Sequence, residues 1–152
     1  MKKALFYAVA LYCFVLTAQA QTPAQTQGMA KAILKNDAAA AEALLAAGVN
    51  PNAAVEVVPG FPTTYLITAA SNNSLALVQL LLKHKAQVNQ ADAFKATALM
   101  AAVGKGNKAM VELLLSTGAD ARAKDDEGKD ALALAKEGGH QEIITLLEQK
   151  LK

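Results

Sequence analysis

The feature that most limits how this chain can fold is a sequence period of 33 residues. Segments that begin at Thr64, Thr97 and Asp130 align with one another along their whole length. They run TYLITAASNNSLALVQLLLKHKAQVN, TALMAAVGKGNKAMVELLLSTGADAR and DALALAKEGGHQEIITLLEQK. A fixed period of this length is typical of repeat proteins, in which each unit packs only against its neighbours. The period therefore predicts a stacked array of similar units.

Each unit divides into a short Ala-rich helix, a tight turn and a second helix with a denser apolar stripe. The turns are predicted at Asn73-Ser74, Gly106-Asn107 and Gly139-His140, because Gly and Asn tolerate the left-handed conformation that ends a helix. The apolar residues of the second helices recur at spacings of one, three and four, which places each set on one face. These residues are Leu77, Val78, Leu80 and Leu81, then Met110, Val111, Leu113 and Leu114, then Ile143, Ile144, Leu146 and Leu147.

The whole pattern resembles that of ankyrin repeats: Thr-x-Leu followed by Ala, a Gly-Asn or Gly-His turn, V-x-L-L-L and G-A-D. The resemblance extends from about Met29 to Leu147 and includes a degenerate first unit, MAKAILKNDAAAAEALLAAGVNPN. It implies an all-α repeat solenoid of about four helix-turn-helix units joined by hairpin loops, with degenerate caps at both ends. The predicted domain covers residues 29–152, with units at about 29–52, 62–91, 92–124 and 125–152.

The chain departs from the family's T-P-L-H tetrapeptide in every unit, since no unit keeps the Pro or the His. The tetrapeptide is TYLI at Thr64, TALM at Thr97 and DALA at Asp130. Thr and Asp are both good N-cap residues, so a helix is still predicted to begin at each of these positions.

The first 20 residues have the composition of a cleaved secretory signal. Two lysines precede a charge-free run from Ala4 to Leu16, and Ala18-Gln19-Ala20 forms an A-x-A cleavage site. This run is shorter than the roughly 20 residues of a membrane-spanning helix, so cleavage is favoured over a retained anchor. Cys13, the only cysteine, leaves with the signal. Residues 21–28 lack apolar periodicity and are predicted to form a flexible leader.

Removal of the signal also changes the charge balance. Fifteen basic residues less the two in the signal leave thirteen, equal to the number of acidic residues. A neutral chain lacks the positive field expected of proteins that bind nucleic acid or anionic membranes. Without cysteine the exported chain must be stabilised by packing alone. A short signal and no disulfide together predict a bacterial periplasmic location.

Residues suited to catalysis are scarce. His84 and His140 are the only histidines, and they lie in different units at positions that should not meet. Without cysteine or a zinc-binding motif, neither a nucleophile nor a metal site can be assembled by a familiar spacing. No catalytic residue, cofactor or metal is therefore predicted. An enzyme or small-ligand site in a groove is the competing hypothesis, but the Ala-rich first helices offer few polar groups to build one.

Aromatic residues indicate a binding surface. After residue 20 the aromatics are Phe61, Tyr65 and Phe94, and all three are predicted to lie outside the core stripes. The resemblance implies that hairpin tips and the exposed side of the first helices bind other proteins, and aromatic anchors beside charges are typical of binding hot spots. The predicted partner-binding residues are Val57, Val58, Phe61, Tyr65, Ile67, Phe94, Lys95, Met100 and Arg122. The alternative for Phe61 is that it folds back to cover the gap between the first two units.

The first hairpin is longer than the others. Sixteen residues separate Gly48 from Thr64, whereas twelve separate Lys85 from Thr97 and Gly118 from Asp130. The insertion of about four residues falls within VEVVPGFPTTYL, which is apolar and contains two prolines. A flexible filler would be polar and Gly-rich, so a binding role is favoured.

These features predict a periplasmic protein-binding module with no catalysis of its own. The resemblance to small exported bacterial ankyrin proteins implies an inhibitor or an immunity-type protector of another exported protein, such as a periplasmic or cell-wall enzyme. The exported chain is expected to be a monomer that does not insert into membranes. The resemblance leaves open two other roles, an accessory protein of an oxidative-stress enzyme and a passive structural scaffold.

Overall fold

The computed structural model describes residues 22–152 as a row of four helix-turn-helix units. The predicted signal, residues 1–20, lies outside the described residues. The helices are α1 Pro23–Leu34, α2 Ala38–Ala46, α3 Tyr65–Ser71, α4 Leu75–Lys83, α5 Ala98–Gly104, α6 Lys108–Ser116, α7 Ala131–Glu137 and α8 Gln141–Lys150, and the strands are β1 Ala54–Val58 and β2 Phe61–Thr64. Among these helices, none is long and apolar enough to cross a bilayer.

The helices begin where the N-cap residues predict. The Thr64 hydroxyl accepts a hydrogen bond from the Ile67 backbone N–H at 3.0 Å, and the Asp130 carboxylate accepts one from Ala133 at 2.8 Å. The Thr97 side chain caps α5 in the same way. Each cap satisfies a backbone donor that has no partner inside the helix.

The turns between paired helices also follow the sequence prediction. Asn73, Gly106 and Gly139 have φ values of 60°, 66° and 69°, and Asn36 has 55° in the degenerate first unit. This left-handed conformation suits Gly and Asn, and it reverses the chain so that the second helix packs back on the first.

The first helices stack in one layer, with α3 between α1 and α5 and with α7 at the end, while the second helices form the other layer. Because α3 has neighbours on both sides, residues 65–70 are all buried. The predicted stripes fill the space between the layers. Fully buried members are Leu77, Val78, Leu81, Met110, Val111, Leu114, Ile143 and Leu147, and Leu80, Leu113, Ile144 and Leu146 are partly buried.

The long first hairpin forms a two-stranded antiparallel sheet, an element that the all-α prediction did not include. Val55 pairs with Thr63 and Val58 with Phe61, with an irregularity in the register between Glu56 and Val58. Gly60 closes the turn at a φ of 84°, and its N–H donates to the Glu56 carboxylate at 3.2 Å. The inserted residues therefore form a rigid hairpin.

The predicted flexible leader, residues 21–28, is wrong for the part that the structure describes, since α1 begins at Pro23. Thr22 and Gln25 form a capping box, in which each side chain bonds the backbone of the other. The Tyr65 hydroxyl donates to the Thr26 carbonyl at 3.2 Å and ties this turn to α3. As a result, α1 is about one turn longer at its start than the other first helices.

Hydrogen bonds between neighbouring units show where the extra residues go. The Asn52 side chain donates to the Lys85 carbonyl, 33 residues on, and Asn89 makes the equivalent bond to Gly118, 29 residues on. The difference of four residues equals the predicted insertion. The insertion lies entirely within the first hairpin, because the same Asn-to-carbonyl hydrogen bond forms between units with and without the four extra residues.

Candidate functional site

Two aromatic rings stack on the surface where the first two inter-unit hairpins meet. The ring centroids of Phe61 and Phe94 are 5.2 Å apart and the ring planes are inclined by 17°. Each residue is still about half exposed, at 48% and 49%. The Ala93 backbone N–H donates to the Pro62 carbonyl at 3.1 Å, which holds the two hairpins at stacking distance.

Two exposed valines of β1 belong to the same hairpin. Val57 and Val58 are 41% and 56% exposed, and Val58 lies opposite Phe61 in the strand pairing. We call Val57, Val58, Phe61 and Phe94 the aromatic hairpin patch. Within residues 22–152 only one other large apolar residue, Leu34, is comparably exposed. This patch is the candidate interaction surface, because grouped exposed apolar side chains indicate binding sites and isolated ones do not.

Three predicted partner-binding residues are buried, so their assignment to the exposed face is wrong. Tyr65 is fully buried, and Ile67 and Met100 are 6% and 4% exposed. Their helices, α3 and α5, each pack between the first helices of the two neighbouring units. The apolar residues that replace the family's His therefore fill the space between units. The Met100 sulfur also accepts a hydrogen bond from the Thr97 backbone N–H.

The two predicted basic residues lie in different surroundings. Lys95 is exposed beside Phe94, at a hairpin position with a φ of 58°. Arg122, in contrast, donates from Nη2 to the Leu151 carbonyl at 3.1 Å. This places Arg122 in the role that Asn52 and Asn89 play earlier in the array, and the structure does not bring it to the aromatic hairpin patch.

The alternative for Phe61, a fold-back over the gap between units, describes part of what the structure shows. The ring does lie against the next hairpin, through Phe94. It covers that ring without becoming buried, so both rings keep a free face.

A groove of about 700 Å³ lies beside the patch, between α1 and β1. Sequence analysis missed it because it assigned the start of α1 to a leader. The residues lining it are Pro23, Thr26, Gln27, Ala30, Lys31, Leu34, Lys35, Ala54, Val55 and Glu56. The signal that predicts its helical wall is the stretch TPAQ from Thr22, with an N-cap Thr, a Pro at the first helical position and a Gln three residues after the cap.

The titratable residues of the described chain form surface ion pairs and no metal-binding group. Residues 22–152 contain no group of three or more His, Cys, Asp or Glu side chains placed to hold a metal ion. The Lys129 ammonium lies 2.8 Å from Glu127 and 3.0 Å from Glu137, and hydrogen bonds to these carboxylates raise its pKa. Lys129 is only partly buried and its two partners are exposed, so this is a solvated ion-pair network of the kind that contributes little to stability.

Comparison with known families agrees with this architecture. The family model described as ankyrin repeats in three copies matches residues 29–125 and, in a second overlapping match, residues 66–151. The chain belongs to the ankyrin-repeat family. Ankyrin repeats are protein–protein interaction modules, so a protein partner is indicated for this array. No curated protein matches the chain significantly.

Within this ankyrin array the candidate binding surface is therefore the first two hairpins. The stacked pair also had a signal in the sequence: Phe61 and Phe94 each precede the helix-capping Thr by three residues, so they occupy the same position of successive repeats.

Proposed function

We propose that the ankyrin array is an exported binding module whose aromatic hairpin patch docks on another exported protein, a periplasmic or cell-wall enzyme, and inhibits or protects it. The observation that supports this most is the Phe61–Phe94 stack, with both rings half exposed on adjacent hairpins.

The patch suits a binding anchor because it is rigid before the partner arrives. The β1–β2 pairing holds Phe61, and the Ala93–Pro62 backbone bond holds the hairpin of Phe94. A preorganised surface loses little conformational entropy on docking. Covering the free faces of two half-exposed rings removes roughly 200 Å² from water, which corresponds to about 5 kcal/mol before the costs of association.

The composition of the first 20 residues supports export. The absence of cysteine after the signal is compatible with the periplasm, because the array depends on packing and not on disulfides.

The test begins with affinity capture from a periplasmic extract, using tagged wild-type protein and the Phe61→Ala, Phe94→Ala double variant. A matched control, Gln79→Ala with Gln149→Ala, changes two exposed residues of second helices. We expect wild type and control to retain one shared protein that the Phe variant loses. Mass spectrometry of the purified protein then shows whether the chain begins at Gln21.

The captured protein is then purified and assayed with and without the array. A stoichiometric fall in its activity supports inhibition, and a longer lifetime at unchanged activity supports protection. Equal capture by wild type and the Phe variant excludes the patch as the docking surface.

A further inference from the structure

Backbone hydrogen bonds link the hairpins of the array in a ladder that begins at β1. The Ala93 N–H donates to the Pro62 carbonyl of β2, and the Asp126 N–H donates to the Phe94 carbonyl in the next hairpin. The edge of β2 that faces away from β1 is thus hydrogen-bonded to the following hairpin. Within residues 22–152, β1 pairs with no strand except β2, so its other edge ends the ladder.

The groove between α1 and β1 follows that open edge. Its β1 wall consists of three consecutive residues, Ala54, Val55 and Glu56. Glu56 is paired with Pro62, which has no N–H and whose carbonyl accepts from Ala93, so the backbone N–H and C=O of Glu56 point away from β2. Because Glu56 lines the groove, the groove reaches the open edge of β1.

The opposite wall of the groove is basic and partly apolar. Lys31 lies in the last turn of α1 and Lys35 is its C-cap, four residues on; Leu34 between them is 53% exposed. Neither lysine makes an ion pair with any carboxylate in residues 22–152, although other lysines of the array do. The acidic residue of the groove, Glu56, already accepts the Gly60 N–H. The groove therefore carries two ammonium groups, neither of them ion-paired, against one carboxylate, and has a net positive charge.

We propose that this groove binds an extended acidic segment of a protein partner. The segment pairs with the open edge of β1 as a third strand and places its carboxylates beside Lys31 and Lys35. Main-chain bonds provide affinity in this mode of recognition, and side chains on alternate positions provide selectivity. The twelve residues of α1 span about 18 Å, which matches an extended segment of about five to six residues.

This site goes beyond the proposed function, because it does not require the aromatic hairpin patch to be the docking surface. Its length depends on the additional first turn of α1, which the other first helices lack. Pro23, Thr26 and Gln27 from that turn line the groove.

The probe is a fluorescein-labelled acidic hexapeptide, TVEVET with blocked ends, and its charge-reversed counterpart is TVKVKT. The protein is produced with its own N-terminus and purified after export. We expect the acidic peptide to saturate below about 1 mM and the basic peptide to bind at least tenfold more weakly. Added salt should weaken the acidic peptide's binding, since the charges are exposed to solvent.

Two variants with the same change of charge test the position of the site. Lys31→Glu with Lys35→Glu should weaken binding of TVEVET at least tenfold, whereas Lys124→Glu with Lys150→Glu should change it less than twofold. All four side chains are exposed, so both variants should keep the wild-type circular dichroism spectrum.

Hydrogen exchange distinguishes strand addition from simple charge attraction. Bound peptide should slow exchange of backbone amides in residues 54–57, because the outward N–H groups of β1 gain partners. Unchanged exchange there overturns the proposal, as does equal binding of the two peptides or no saturation at 1 mM. Protection of residues 54–57 that grows with protein concentration, without peptide, assigns the edge to a second copy and also overturns it. If the Phe61→Ala, Phe94→Ala variant captures the same proteins as wild type, that result excludes the aromatic hairpin patch and does not affect the groove.

Discussion

The guanidinium of Arg122 and the carbonyl of Leu151 join the last hairpin to the end of α8, with Nη2 and the oxygen 3.1 Å apart. In the two preceding units an Asn side chain makes this link. In the last unit the longer Arg122 side chain makes the link, and the carbonyl it reaches belongs to Leu151, the C-cap of α8.

Arg122→Ala should lower the free energy of unfolding by roughly 0.5–1 kcal/mol, the low end for an exposed hydrogen bond. The loss should be local, so amides near the end of α8 should exchange faster while those of α3 do not change. Urea unfolding and hydrogen exchange measure the two effects, with Lys124→Ala as the control. A variant of unchanged stability that no longer binds the partner would return Arg122 to the binding surface.

The stack of Phe61 on Phe94 should appear as an energetic coupling. Each single Ala variant should lose about 0.5–1 kcal/mol of stability, and the double variant should lose about 0.5 kcal/mol less than the sum, because the second change removes a contact already lost. Urea unfolding of the four proteins completes the cycle. Strictly additive losses would mean that the rings do not stack in solution.

The pKa of the Tyr65 phenol should show whether this side chain is buried in solution. Burial raises the pKa of its phenol above the ordinary 10.0. The folded protein then keeps a proton that the unfolded chain releases, so stability should fall as pH rises above about 10. It is the only tyrosine after residue 20, so phenolate absorbance of the exported chain titrates this group alone.

Tyr65→Phe is the matched variant for this measurement. It should lose about 1 kcal/mol near neutral pH, since the Thr26 carbonyl loses its donor. Above pH 10 its stability should fall less steeply than that of wild type, because lysine ionisation affects both proteins equally. Parallel curves would show that the phenol is exposed in solution.

Gly106 lies against the His140 ring at the junction of the last two units. A Cβ at Gly106 would lie 2.7 Å from Cε1 of that ring, and its φ of 66° is already unfavourable for Ala. Gly106→Ala should therefore cost about 2 kcal/mol or more. Gly139 has a similar φ of 69°, but a Cβ added there would have no atom within 4 Å. Gly139→Ala should therefore show the cost of backbone strain alone.

A further variant separates the two contributions at this junction. Adding His140→Ala to Gly106→Ala should recover the part of the loss caused by contact with the ring and leave the strain. Thermal unfolding compares the variants, and an equal loss for Gly106→Ala and Gly139→Ala would mean that the ring moves aside freely.

Features governed by local chemistry were predictable from the sequence. The caps at Thr64, Thr97 and Asp130 and the turns at Asn73, Gly106 and Gly139 depend on neighbouring residues only, and the 33-residue period shows where they recur. The apolar stripes of the second helices follow from helical spacing in the same way.

The burial of Tyr65, Ile67 and Met100 depends on contacts between units, which single-helix periodicity does not show. A helix of seven residues that is covered on several sides has no polar face, so the pattern of one face does not describe it. The start of α1 was missed for the opposite reason. Its first turn has no apolar stripe and is stabilised by the Thr22–Gln25 capping box and by the Tyr65 hydrogen bond to Thr26.

The four added residues of the first hairpin leave the Asn52–Lys85 link equivalent to the Asn89–Gly118 link. The spacing of the helices thus does not depend on the length of this hairpin, so the segment between Ala54 and Thr64 can change while the helices keep their spacing. In protein engineering, a library of hairpins inserted at this segment would vary the target while the helical scaffold stays unchanged.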